Sequence, residues 1–138
     1  MSVARIGAAL ALLVLVACND DPSPTMADPT PATGLRLEPS ALQFPATAVG
    51  AISYAMVTIT NGETDSQKLV GFQPVEAPFW STQAGTCNLE YAFVMPPGAS
   101  CTLQWGFKPL STGAQTASGI ISFESGKTLT VALSGVGT

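Results

Sequence analysis

Histidine is missing from all 138 residues, which removes the side chain most often used as a general base near neutral pH and as a metal ligand. Charge is scarce too. Only 10% of residues are Asp, Glu, Lys or Arg, against roughly a quarter in an ordinary globular protein. Beyond Arg5 the basic residues Arg36, Lys68, Lys108 and Lys127 stand singly, so no cluster exists to bind nucleic-acid phosphates. No SxxK or GxSxG pattern supplies an activated serine. The nearest acid pair, Glu63 and Asp65, follows Asn61-Gly62 and reads as a solvated turn rather than a general acid and base. No segment carries a helical apolar stripe of useful length. No catalytic residue, metal site or cofactor is expected.

What is present begins at the N-terminus. Arg5 precedes the apolar run Ile6–Val16, which has the length of a signal-peptide core and is too short to span a bilayer upright. Leu15-Val16-Ala17-Cys18 then meets Asn19-Asp20-Asp21. The tetrapeptide resembles the bacterial lipobox. That resemblance implies diacylglycerol transfer to the Cys18 thiol and cleavage before Cys18. It makes residues 1–17 a lipoprotein signal peptide, with the membrane as a partner reached through a lipid anchor. Asn19, rather than Asp, follows the cysteine, which favours the outer membrane over the inner one. A plain secretory signal and an uncleaved short anchor are the alternatives. Loss of residues 1–17 removes Arg5 and no acid, taking the net charge from −4 to −5.

Residues 18–34 comprise the lipidated cysteine and a linker. Asn19–Gly34 holds four prolines and three aspartates without an aromatic residue. It cannot bury enough apolar surface to offset its ordering entropy, so a disordered or polyproline-like stalk is expected. At about 3.1 Å per residue it reaches at most roughly 50 Å.

Residues 35–138 change character and read as one all-β domain. Leu35–Glu38 and Ala41–Phe44 are split by Pro39-Ser40. Ile52–Thr60 is rich in β-branched residues and ends at Asn61-Gly62, a turn signal. Lys68–Phe72, Phe79–Thr82 and Tyr91–Val94 are further short strands. Cys101, Leu103, Trp105 and Phe107 alternate with Thr102, Gln104, Gly106 and Lys108, the spacing of a strand with one buried and one wet face. Ala117–Glu124 and Thr128–Ser134 follow, joined at Gly126. Glycines 71, 85, 98, 106, 113 and 119 are read as turns and strand edges. The pattern predicts an immunoglobulin-like antiparallel β-sandwich of seven to eight strands.

The order Leu-x-Pro-x-x-Leu-x-Phe (Leu37 to Phe44), Val49-Gly50, Val57–Asn61, Cys87, Pro97–Leu103, Phe107-Lys-Pro, Gly113 and the closing Leu133-Ser-Gly-Val-Gly resembles the abnormal-spindle/hydin (ASH) type of immunoglobulin-like domain. Its bacterial versions include the choice-of-anchor modules of surface and secreted proteins. The resemblance covers essentially all of residues 35–138. It implies a sandwich related to major sperm protein and pilus chaperones, with a role in adhesion, assembly or scaffolding and no common active site. Such modules often occur in tandem, whereas one stands alone here.

Cys87 and Cys101 form an even pair in an exported chain, and a disulfide is expected. Zinc binding and free buried thiols are the alternatives. Phe79-Trp80 places two aromatics on opposite faces of one strand. Trp80 is the candidate partner-binding residue, while Trp105 and Phe107 are assigned to the core. The functional expectation is a membrane-anchored, non-enzymatic lipoprotein that presents the sandwich to an envelope or surface protein, with no nucleic acid involved. Docking would be by strand addition at an edge or by contact between faces. A structural envelope protein without a specific partner is the alternative, and a carboxylate-dependent hydrolase is a more remote one.

Overall fold

Period-2 alternation sorts the side chains of this domain into an inner and an outer set. In the computed structural model, residues 33–74, 76–88 and 93–138 are described. The signal peptide, the lipobox cysteine and nearly all of the linker lie outside them. Nine strands follow in chain order: β1 (Gly34–Glu38), β2 (Ala41–Gln43), β3 (Ser53–Gly62), β4 (Gln67–Gln73), β5 (Phe79–Gly85), β6 (Val94–Met95), β7 (Ser100–Phe107), β8 (Gly113–Phe123) and β9 (Thr128–Gly137). They form one sheet in the order β1-β3-β7-β5 and a second in the order β2-β9-β8-β4-β6. The immunoglobulin-like β-sandwich is the observed fold.

The nine strands exceed the expected count because the first is split and β6 is a two-residue fragment. Pro39-Ser40 interrupts the opening strand, and its two halves join different sheets. β1 pairs with β3, whereas β2 pairs with β9 in parallel. Among the described residues the sandwich is therefore antiparallel except for this pairing and the isolated parallel bridge between Thr47 and Gly137 that continues it. The chain crosses from one sheet to the other without reversing, and β9 runs opposite to β3, so the sense of pairing changes. Of the strand expected over 91–94, residues 91 and 92 lie outside the described residues; the observed strand is Val94–Met95.

Asn61-Gly62 departs from its reading as a hairpin turn. β3 runs through both residues, and Asn61 is fully buried. Its Nδ2 donates to the carbonyls of Asp65 at 2.9 Å and Met95 at 2.8 Å, and its Oδ1 accepts from the Glu63 amide at 3.0 Å. Its own amide donates to Ala99, and its carbonyl accepts from Gly98. One side chain thus ties the 61–65 bend and the 96–99 loop together. A buried amide with its partners satisfied holds these loops against the end of the sheet.

The core lies between the sheets. From β7 it receives Cys101, Leu103, Trp105 and Phe107, all 2% exposed or less, as the alternation requires. Val57 and Ile59 come from β3, Ile121 and Phe123 from β8, and Val131 and Leu133 from β9. Phe44, Phe79 and Phe107 cluster with ring centroids 4.7–5.6 Å apart, within the range favourable for aromatic pairs.

Two glycines read as turns or edges have another purpose. Gly119 is buried inside β8, and a β-carbon there would lie 2.7 Å from the ring of Trp105. Gly106 sits inside β7, and a β-carbon there would lie 2.5 Å from the ring of Trp80. Both make room for an indole. Sequence spacing does not reveal this, because each tryptophan sits on a different strand from its glycine.

Cys87 and Cys101 are bonded, with sulfurs 2.07 Å apart and a Cα–Cα distance of 5.1 Å. The bridge joins the chain just beyond β5 to its neighbour β7 within one sheet. Cys87 also donates its amide to the carbonyl of Thr102. Closing a loop of this length stabilises a domain by about 3 kcal/mol in the chain-entropy account.

Candidate interaction surfaces

The pairing register defines two ends of the sandwich. Gly34, where β1 begins, pairs with Gly62 at the close of β3. At the opposite end Ser53 pairs with Phe107, and Gly113 with Gly137. The chain therefore enters the domain at one end and finishes at the other.

The finishing end is cross-tied by backbone. The Thr47 amide donates to Val136, Thr138 to Thr47, Val49 to Thr138, Gly50 to Pro109 and Lys108 to Pro78. The Thr47 hydroxyl adds bonds to the Pro45 carbonyl and to Ser53 Oγ. These bonds tie the 44–52 loop to the C-terminal residues and to Pro109, and Lys108 to Pro78. On this braced end Val49, Leu110 and Val136 are 47%, 65% and 45% exposed. Scattered apolar residues on a surface are ordinary; here Val49 and Leu110 stand on loops braced by backbone bonds, and Val136 stands near the close of β9 at the same end. Beside Val136 opens a groove of about 320 Å³, lined by Gln43, Phe44, Thr116, Ser134 and Gly135 among others. A second cavity, of about 350 Å³, lies at Phe72, Gln73, Pro74 and Glu76.

Trp80 projects from the outer face of the β1-β3-β7-β5 sheet and is half-buried, while Phe79 beside it is fully buried. The two adjacent aromatics do point to opposite faces. Trp80, Gly106 and Tyr54 stand in one row across β5, β7 and β3. Tyr54 and Met56 are 53% and 48% exposed. The sequence reading passed over these residues, although a signal for them exists. In Ile52–Ile59 the apolar residues 52, 54 and 56 are out of phase with the core residues 57 and 59. A phase break of that kind marks apolar side chains on the wet face.

The acid pair does not converge on a site. Glu63 Oε1 meets Lys127 Nζ at 2.6 Å, and Asp65 is exposed and contributes a backbone carbonyl to Asn61. Lys68 pairs with Glu124 at 2.8 Å on the surface. Such exposed pairs contribute about 0–1 kcal/mol. Among the described residues no group of three or more Cys, Asp or Glu side chains is placed to hold a metal ion.

Neither a protein-family model nor a curated protein sequence matches the chain. Solved structures do. The ASH/PapD-like domain 7 of human CEP192 is similar over 96% of this chain and 98% of its own, with 15% identity and a TM-score of 0.57. The VesB protease of Vibrio cholerae matches 74% of this chain at 15% identity and a TM-score of 0.59, but this chain covers only 31% of the protease. The periplasmic chaperone SfaE matches 76% of this chain and 58% of its own, at 12% identity and a TM-score of 0.53. What these proteins share with this chain is the immunoglobulin-like β-sandwich fold.

Proposed function

We propose that this chain is a lipid-anchored, non-enzymatic interaction module of a bacterial envelope. Cys18 is its lipidation site, the outer membrane its location, and an envelope or surface protein its partner. The observation that carries the interaction reading is the braced apolar end at Val49, Leu110 and Val136, with the groove beside it. That end lies opposite Gly34, where the chain enters from the linker, so it is the end best placed to meet a partner. Loops already fixed by hydrogen bonds lose little freedom on docking, and preorganisation of this kind raises affinity.

Docking at this end is favoured over strand addition at an edge. Strand addition needs a long, regular, unpaired strand. β2 and β6 have three and two residues. β5 shifts register between Ser81 and Gly85, and β1 exposes the charged Arg36 and Glu38. Short, irregular and charged edges discourage pairing with another chain.

The test has two arms. Globomycin should cause a lipidated precursor to accumulate, and Cys18→Ser should release the protein from the membrane fraction. In cells, a photo-crosslinking amino acid at position 110 should capture a discrete envelope protein, and Val49→Ser with Val136→Ser should abolish the adduct. An unchanged precursor pattern refutes the anchor. An absence of any adduct at position 110 refutes the docking end.

A further inference from the structure

The outer face of the β3, β7 and β5 strands carries a second feature, which adjoins the docking end where the Lys108 amide meets Pro78. Three rows of side chains cross it. The middle row is Tyr54, Gly106 and Trp80. On one side Met56 pairs with Gln104, and Thr82 Oγ1 lies 3.0 Å from Gln104 Oε1. On the other, Lys108 follows Phe107 at the close of β7, and its amide donates to Pro78 at 2.8 Å. The central glycine is covered. The six-membered ring of Trp80 occupies the space that a β-carbon on Gly106 would take, so the indole lies over the backbone of β7. Beside it the Tyr54 ring is more than half exposed.

From this arrangement we infer that the face is a platform for a short run of an acidic glycan. One sugar ring stacks on Trp80 and Tyr54, and a neighbouring carboxylate meets Lys108. Three properties of the face select this occupant over a folded protein.

The first is size. Strands about 4.8 Å apart and residues about 3.3 Å apart make the three rows roughly 10 Å by 14 Å, on the order of 150 Å². A stable protein interface covers about 800 Å² on each partner. The second is shape. Protein hot spots fill well-packed pockets, and neither of the two cavities described above opens onto this face. A pyranose needs no pocket, because its polarised C–H groups lie against the negative face of an aromatic ring, and the Gln104 side-chain amide, whose Oε1 already accepts from the Thr82 hydroxyl, offers its N–H groups to the sugar's hydroxyls. The third is charge. Lys108 is the only charged residue in the three rows and takes no part in either ion pair found among the described residues. An unpaired cation two residues along the chain from Gly106 is complementary to an anionic sugar.

The full chain contains Trp80 and Trp105 and no other tryptophan, and Trp105 is fully buried. Acrylamide quenching of the full chain in detergent micelles therefore reports on Trp80. Trigalacturonic acid should protect Trp80 from quenching in a saturable manner, and the neutral chitotriose should bind at least several-fold more weakly. Trp80→Ala should reduce trigalacturonic acid binding tenfold or more by calorimetry while the disulfide and the near-ultraviolet signal of Trp105 persist. Lys108→Gln should abolish the preference for the acidic sugar while leaving chitotriose binding unchanged. The inference is overturned if neither sugar protects Trp80, or if binding survives Trp80→Ala. It is also overturned if Trp80→Ala removes a crosslinked protein from the cell while no sugar binds. Because the docking end uses Val49, Leu110 and Val136, failure here leaves that reading standing, and the reverse holds as well.

Discussion

The molecule places an indole on a glycine twice, once inside and once outside. Trp105 in β7 reaches across the sandwich to Gly119 in β8, and it is completely buried. Trp80 in β5 leans sideways over Gly106 in the neighbouring strand of its own sheet, and it remains partly exposed. Residues 105 and 106 are adjacent, so a single dipeptide of β7 serves both arrangements, sending its tryptophan inward and opening a gap outward. The inner pair fills space between layers and contributes packing. The outer pair fixes the direction of an aromatic ring that is still available to a ligand. Identical local chemistry thus serves stability on one side of the sheet and, in the proposal made above, recognition on the other.

Mutations should separate the two pairs, with the largest effects inside. Trp105→Ala should destabilise the domain by about 3–5 kcal/mol, the range for deleting a buried aromatic side chain; the urea midpoint should fall far below that of the native protein. Replacing both Cys87 and Cys101 with Ala, which frees the end of the Trp80 strand from the Trp105 strand, should cost about 3 kcal/mol, read in the same way. Gly119→Ala should cost about 1–3 kcal/mol by overpacking, since the new methyl group would meet both Val131 and the Trp105 ring, which cannot move. Gly106→Ala should cost about 1 kcal/mol or less, because the Trp80 ring can swing toward solvent. Its signature is a rise in acrylamide quenching rather than a lower urea midpoint. Trp80→Ala should have the smallest effect on stability, about 0.5 kcal/mol as at other surface sites. If Gly106→Ala destabilises the domain as much as Gly119→Ala, the distinction drawn between the two pairs is wrong.

How much of this could be read in the chain depended on whether the information was local. Alternation along 101–107 gave the buried face of β7 without ambiguity, because strand geometry turns sequence parity directly into direction. Phe79-Trp80 yielded to the same logic. The pairing of Cys87 with Cys101 followed from counting, since a third cysteine was already assigned to the lipobox. Asn61-Gly62 misled because its sequence suits a turn, while the structure gives Asn61 five hydrogen bonds, most of them to residues the local pattern cannot anticipate. Gly106 and Gly119 were misread for a related reason. A glycine with a local purpose shows it in its neighbours in the chain, whereas one that admits a side chain from elsewhere does not.

The chain by itself determined an all-β domain, the faces of its long strands, the disulfide and the absence of histidine chemistry, each a matter of composition or of parity along a strand. Tertiary structure alone decided which tryptophan lies over which glycine, that the split first strand meets β9 in parallel, and that Val49, Leu110 and Val136 gather at the end opposite Gly34. The physical reason is that strand pairing brings together residues up to about ninety positions apart, as when the Thr47 amide bonds Val136. Periodicity records which way a side chain points, and carries no information about what it will meet.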